Sequence, residues 1–149
     1  MLRALVTGEI GMPEAAVVLA DLHHRLHEIP ARVSSDPGTR IVHLDLHPDN
    51  VLLGPRGPVV IDWTNAAEGP ADLDIAMSAV ILAQAAVQGG QPVQTAGVRA
   101  FLTTFLRSAG GDPLSVLDQA VALRSSDPTQ SDAEIDCLGA VAVLIAESR

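Results

Sequence analysis

The stretch IVHLDLHPDNVLLGPRGPVVIDW, residues 41–63, decides how the chain is read. Upstream of it apolar residues recur at helical spacing, and here the period shortens to that of strands. RIVHL (40–44), NVLLG (50–54) and PVVID (58–62) are short apolar or β-branched runs. GPRG (54–57) between the last two is a tight-turn signal, so those two runs form a hairpin. Between the first two runs stand His43, Asp45, His47, Asp49 and Asn50, within eight positions. This polar cluster therefore lies between strands, where the hairpin brings Asp62 back toward Asp45 and Asn50.

Helical patterns frame the cluster. MPEAAVVLADLHHRLHEIP (12–30) opens with Pro13 in a first-turn position and closes at Pro30, with Val18, Leu22, Leu26 and Ile29 at helical spacing, which predicts one amphipathic helix. ARVSSDPGTR (31–40) is rich in turn formers and has no periodic apolar pattern to hold it down, so it reads as a surface loop. NAAEGPADLDIAMSAVILAQAAVQGG (65–90) turns helical around Asp72 and is apolar on nearly every face, the mark of a helix buried among others. In residues 91–111, Val98, Phe101, Leu102 and Phe105 share a core-facing side, and the closing glycine pair supplies a left-handed cap. Asp112-Pro113 starts a further helix over 112–124. Ser131 and Glu134 stand at capping-box spacing at the head of the last one, 131–147. The expectation is a single, mainly helical α+β domain over residues 1–149, with a motif-bearing core at 41–76 and a helical region at 90–149.

Composition narrows the partners. A formal charge of -9 and a pI near 4.7 argue against nucleic acid or an anionic membrane surface, both of which repel an acidic protein at long range. The N-terminal residues lack the uninterrupted apolar stretch of a signal peptide, and the longest apolar run, 75–87, is interrupted by Ser78 and Gln84 and falls short of the roughly 20 residues a membrane crossing requires. One cysteine, Cys137, excludes an internal disulfide and fits a reducing cytoplasm. All nine basic residues are arginine; the chain has no lysine.

The residue types in the cluster suit phosphoryl transfer. A triphosphate requires hard oxygen ligands around magnesium, which a carboxylate and a side-chain amide provide. A separate carboxylate must stand beside the attacking hydroxyl to orient it and accept its proton. HLDLHPDN (43–50) followed by VVIDW (59–63) resembles the catalytic loop and metal-binding segment of the aminoglycoside phosphotransferase and choline kinase superfamily, small-molecule relatives of the protein kinases. The resemblance implies a protein-kinase-like C-terminal lobe in which Asp45 is the catalytic base, Asn50 and Asp62 are magnesium ligands, His43 is structural, and the helical region 90–149 lies on the substrate side. It places His47 where protein kinases carry a lysine near the transferred phosphate, which implies contact with ATP. Leu44 stands in place of the arginine with which protein kinases sense activation-loop phosphorylation, a departure that favours a small-molecule acceptor. GPADLDIA (69–76) is similar to the family's G-D-P-x-x-D-x-A segment, with departures at Pro70 and Ala71. It makes Asp74 the aspartate that braces the loop.

Other polar residues have plainer readings. Asp49 reads as a turn residue and Trp63 as packing beside the metal site. His23, His24 and His27 contain an i, i+4 pair that could face one metal, but no third ligand or H-E-x-x-H pattern accompanies them. They read as partly exposed residues of the first long helix.

The family's N-terminal lobe, with its glycine-rich loop and nucleotide-gripping lysine, has no counterpart: TGEIG (7–11) is glycine-poor and precedes a helix. The resemblance therefore covers the C-lobe from about residue 12 onward, and the expectation is weak nucleotide binding and little turnover by this chain alone. An internal start, a truncation and a lone lobe with another role all remain open, as does a partner chain that supplies the lobe. The function expected is ATP- and Mg²⁺-dependent phosphorylation of a hydroxyl on a small molecule. The alternative is a non-catalytic kinase-lobe interaction module.

Overall fold

The computed structural model describes residues 1–89 and 92–148. Its elements in chain order are α1 (Leu2–Thr7), α2 (Met12–His27), β1 (Thr39–Val42), β2 (Val51–Gly54), β3 (Gly57–Val60), β4 (Ala67–Pro70), α3 (Ala71–Gln88), α4 (Pro92–Ala109), α5 (Leu117–Ser125), α6 (Asp132–Asp136) and α7 (Leu138–Glu147). Short 3₁₀ turns occupy Pro48–Asn50, Trp63–Asn65 and Pro113–Val116. The described residues make a mainly helical α+β fold with two small antiparallel sheets.

α3 is the central element. It packs against α4, α5 and α7, and its first turns meet β1 and β4. Its apolar character on all sides follows from that position, with Ile75, Ala76, Ala79, Val80 and Ala83 each nearly or fully buried. Ala71–Gln88 is long and apolar enough to cross a membrane by length and composition, but 67% of it is covered by the rest of the protein, as in the core helix of a packed domain. α2 lies against α4, and Phe101 and Phe105 fill the space between helices, as their spacing predicts.

The predicted hairpin forms: β2 pairs with β3 from Val51↔Val60 to Gly54↔Gly57. Gly57 takes φ 109°, a conformation that favours glycine and closes the turn after Pro55-Arg56. A strand that the residue pattern does not predict, β4, pairs antiparallel with β1, in register from Thr39↔Pro70 to Val42↔Ala67. AEGP has no strand-forming side chain, so its conformation is set by pairing with β1 and by Glu68. The Glu68 carboxylate accepts hydrogen bonds from the backbone amides of Arg32, Val33 and Ser34 at 2.5, 2.8 and 2.8 Å. Loop 31–38 is therefore tied to β4, although it has no apolar anchor.

Several boundaries move. α2 ends at His27; Ile29 is exposed, and Pro30 forms a single bridge with Arg40, so the chain leaves the helix three residues earlier than expected. Residues 112–124 begin as a 3₁₀ turn before α5. Ser131 and Glu134 form the expected reciprocal cap, but the helix they start is interrupted at Cys137 before α7 continues. Gly110 and Gly111 both adopt left-handed φ, 68° and 67°, and end α4 as a glycine pair should. The Gly89-Gly90 stop lies partly outside the described residues.

Candidate active site

β1 leads directly into the loop from His43 to Asn50. Leu44, immediately before Asp45, has φ 62°, and Asp62 has φ 60°. These are the two non-glycine residues with positive φ among those described, and such backbone persists only where its surroundings hold it. At Leu44 the hold is Asp74, buried in the first turn of α3. Its Oδ1 accepts hydrogen bonds from the backbone amides of His43 (3.1 Å) and Leu44 (2.6 Å). Its Oδ2 lies 2.9 Å from His27 Nε2. Burial alone would raise the Asp74 carboxyl; the hydrogen bond from His27, the neighbouring His23 ring and the two loop amides outweigh it and keep Asp74 below its ordinary value.

Asp45, His47 and Asn50 come together. The Asn50 amide nitrogen donates to the Asp45 backbone carbonyl (2.8 Å) and to Asp45 Oδ2 (3.1 Å), and lies 3.3 Å from His47 Nε2. With its nitrogen turned onto Asp45, Asn50 keeps Oδ1 for another partner. His47 Nε2 is 3.9 Å from Asp45 Oδ1. Burial holds the His47 ring below the usual imidazole range, with Asp45 and Asp49 opposing it. A neutral ring is the result at neutral pH, so His47 offers a hydrogen bond where a lysine would offer a charge. Asp49 is exposed in the 3₁₀ turn, consistent with a turn residue.

Asp62 arrives from the hairpin. The Ile61 amide donates to the Asn50 carbonyl (3.0 Å), which fixes the end of β3 beside the loop, and the Asp62 carboxylate is exposed and accepts from Thr64 Oγ1 (2.8 Å). His43 is fully buried, its Nε2 donating to the Ile61 carbonyl (3.0 Å), so it links the loop to the residue before Asp62. Its buried Nδ1 has no hydrogen-bond partner among the described residues. Trp63 stacks at a tilt on His43 with centroids 4.9 Å apart.

Asp45, His47 and Asp62 line one cleft of about 750 Å³. Its other wall is the segment from Leu123 to Gln130, within the region 90–149 that the resemblance puts on the substrate side. Gln84 organises that wall from inside α3: its amide nitrogen donates to Gln130 Oε1 (3.0 Å) and the Glu134 carbonyl (3.2 Å), and its oxygen accepts from Arg124 Nε (2.8 Å). Arg124 also pairs with Asp127 at 3.5 Å.

No group of three His, Cys, Asp or Glu side chains converges as a metal cage among the described residues. The Asp62 carboxylate and the Asn50 amide oxygen are hard donors of the type magnesium takes, although Asp62 lines the cleft and Asn50 is buried behind it. The α2 histidines correct their reading as partly exposed. His23 is fully buried and hydrogen-bonded, and His27 is mostly buried against Asp74, while His24 alone is exposed, with Nε2 2.9 Å from the Ala109 carbonyl. The readable signal was a shared spacing: His23 and His27 are four apart on α2, as Asp74 and Ser78 are on α3.

The family model described as Phosphotransferase enzyme family matches residues 9–116. The match spans α2 to the 3₁₀ turn before α5, so it includes every residue of the loop and the hairpin but not the Leu123–Gln130 wall. No curated protein and no solved structure matches the chain.

Proposed function

The chain belongs to the phosphotransferase enzyme family, and from that premise we propose that it transfers the γ-phosphate of ATP to a hydroxyl of a small molecule from the cleft beside Asp45. In this reading the described residues form a protein-kinase-like C-lobe. Asp45 orients the acceptor hydroxyl and takes its proton, and His47 meets the phosphates. Asn50 Oδ1 and Asp62 hold Mg²⁺, which when bound would neutralise phosphate charge. The observation that supports this most is the strained turn at Leu44, held by Asp74, which presents Asp45 to the cleft while Asn50 is turned to support it. A backbone cost of the order of 1–3 kcal/mol is retained where position matters.

The test is transfer from labelled Mg-ATP to a panel of sugars, amino alcohols and choline-like alcohols, comparing wild type with Asp45→Asn. Asn fills the same space but cannot accept the proton, so transfer should fall about 100-fold or more with Mg-ATP binding unchanged. Equal rates in the two proteins would remove Asp45 from the chemistry.

A second reading, a non-catalytic binding lobe, draws support from an apolar groove of about 270 Å³ lined in part by Leu2, Leu5, Val6, Met12, Ile81 and Phe101. The absence of both Mg-dependent ATP binding and transfer would favour it.

A further inference from the structure

α2 reaches the loop by two routes. One, His27 to Asp74 to the His43 and Leu44 amides, holds the entry to Asp45. The other lies one helical turn away and reaches the exit. Ser78 Oγ is 2.7 Å from the Leu46 carbonyl, and His23 Nε2 is 2.9 Å from Ser78 Oγ. His23, Leu46 and Ser78 are all fully buried. Leu46 lies between Asp45 and His47, so its carbonyl orientation bears on both.

The direction of these bonds follows from the donors present. A carbonyl only accepts, so when the ring proton is on Nε2, His23 donates to Ser78 Oγ and Ser78 gives its one proton to Leu46. The other ring nitrogen, Nδ1, lies 2.9 Å from the Leu19 carbonyl, so by the same rule it donates there when it carries the ring proton, and Nε2 then accepts from the Ser78 hydroxyl. The ring is held on its remaining sides by His27, 5.7 Å away, and Phe105, 5.3 Å away between centroids. Among the described residues the Leu46 carbonyl has Ser78 as its partner, and without it would be a buried acceptor left unmet.

We infer that His23 and Ser78 are positioning residues for the catalytic loop, joined through Ser78 Oγ, which stands between His23 Nε2 and the Leu46 carbonyl, and that this relay holds Asp45 and His47 in register from α3 one turn beyond Asp74. The inference takes the loop's role from the proposed phosphotransfer, but the relay can be tested without turnover.

The experiment is amide hydrogen exchange on the whole chain for wild type, Ser78→Ala, His23→Asn and His23→Gln. Gln places an amide nitrogen where Nε2 stands and keeps the Ser78 contact; Asn is too short and retains only the Leu19 side. Ser78→Ala and His23→Asn should raise exchange of the loop amides between His43 and Asn50 about tenfold, with α7 unchanged, and His23→Gln should stay within about twofold of wild type. Unchanged loop exchange in Ser78→Ala, a rise shared equally by α7, or identical behaviour of His23→Asn and His23→Gln would each overturn the relay. Asp45→Asn separates the two readings: it should leave loop exchange at the wild-type level whether or not transfer is lost. If transfer is measurable, Ser78→Ala should lower kcat about tenfold and leave KM within twofold, because a displaced Asp45 affects the reacting geometry more than binding.

Discussion

At the scale of single residues, Asp74 has the most consequences. It supplies both acceptor oxygens to partners that have few alternatives: two loop amides on one side and His27 on the other. Leu44 cannot relax from its left-handed conformation without breaking its bond to Asp74, so side-chain electrostatics here sets backbone geometry. Asp74→Ala would leave two buried amides and His27 without their acceptor, and the expected loss of folding stability is about 3–5 kcal/mol by denaturant titration. Asp74→Asn keeps an oxygen for the amides and should cost less than half as much. Equal losses would mean that charge, rather than the acceptor toward the loop, is what the site requires.

At the scale of elements, legibility followed periodicity. α3 announced its burial through apolar residues on every face, and the β2–β3 hairpin announced itself through two apolar runs around GPRG. Asp45, Asn50 and Asp62 were legible because they are close in sequence or joined by that hairpin. β4 was not, since AEGP owes its extended form to β1 and to Glu68, a long-range cause that leaves no local pattern. The same holds for His23 and Gln84, polar residues inside helices whose partners stand 55, 46 and 50 positions away. The end of α4 tests the element-level reading. Gly110 and Gly111 share a left-handed φ, but a Cβ at Gly110 meets open space, whereas one at Gly111 would lie 2.2 Å from Asp72 Oδ1. That oxygen accepts from the Asp112 amide at 3.0 Å and ties the α4 terminus to the start of α3. Gly110→Ala should therefore cost about 1 kcal/mol from backbone conformation alone. Gly111→Ala should cost about 2–3 kcal/mol, because Asp72 must also move. Thermal melts of the two variants side by side decide the point; equal shifts would mean the α3–α4 tie contributes nothing.

At the scale of the whole molecule, acid stability follows from what is buried neutral. Burial, opposed first by the Asp74 carboxylate, lowers His23 from its ordinary 6.5 to about 4. The unfolded chain thus binds a proton near pH 6.5 that the folded chain refuses until about pH 4. The unfolded state holds more protons across that interval, so stability falls as pH drops through it, by about 3 kcal/mol in all, and levels off below. His47, also lowered, acts in the same direction. The lowered carboxyls of Glu68, Asp74, Asp127 and Glu134 contribute stability that is complete above their ordinary values, 4.5 for the glutamates and 3.8 for the aspartates, and is lost as pH falls from there through their folded ones, so the glutamates overlap only the foot of the His23 interval. Urea titrations between pH 7 and pH 4 should show this decline, and His23→Gln, which removes the titrating group while keeping the Ser78 contact, should flatten most of it. A slope unchanged by His23→Gln would place the acid sensitivity in groups other than His23.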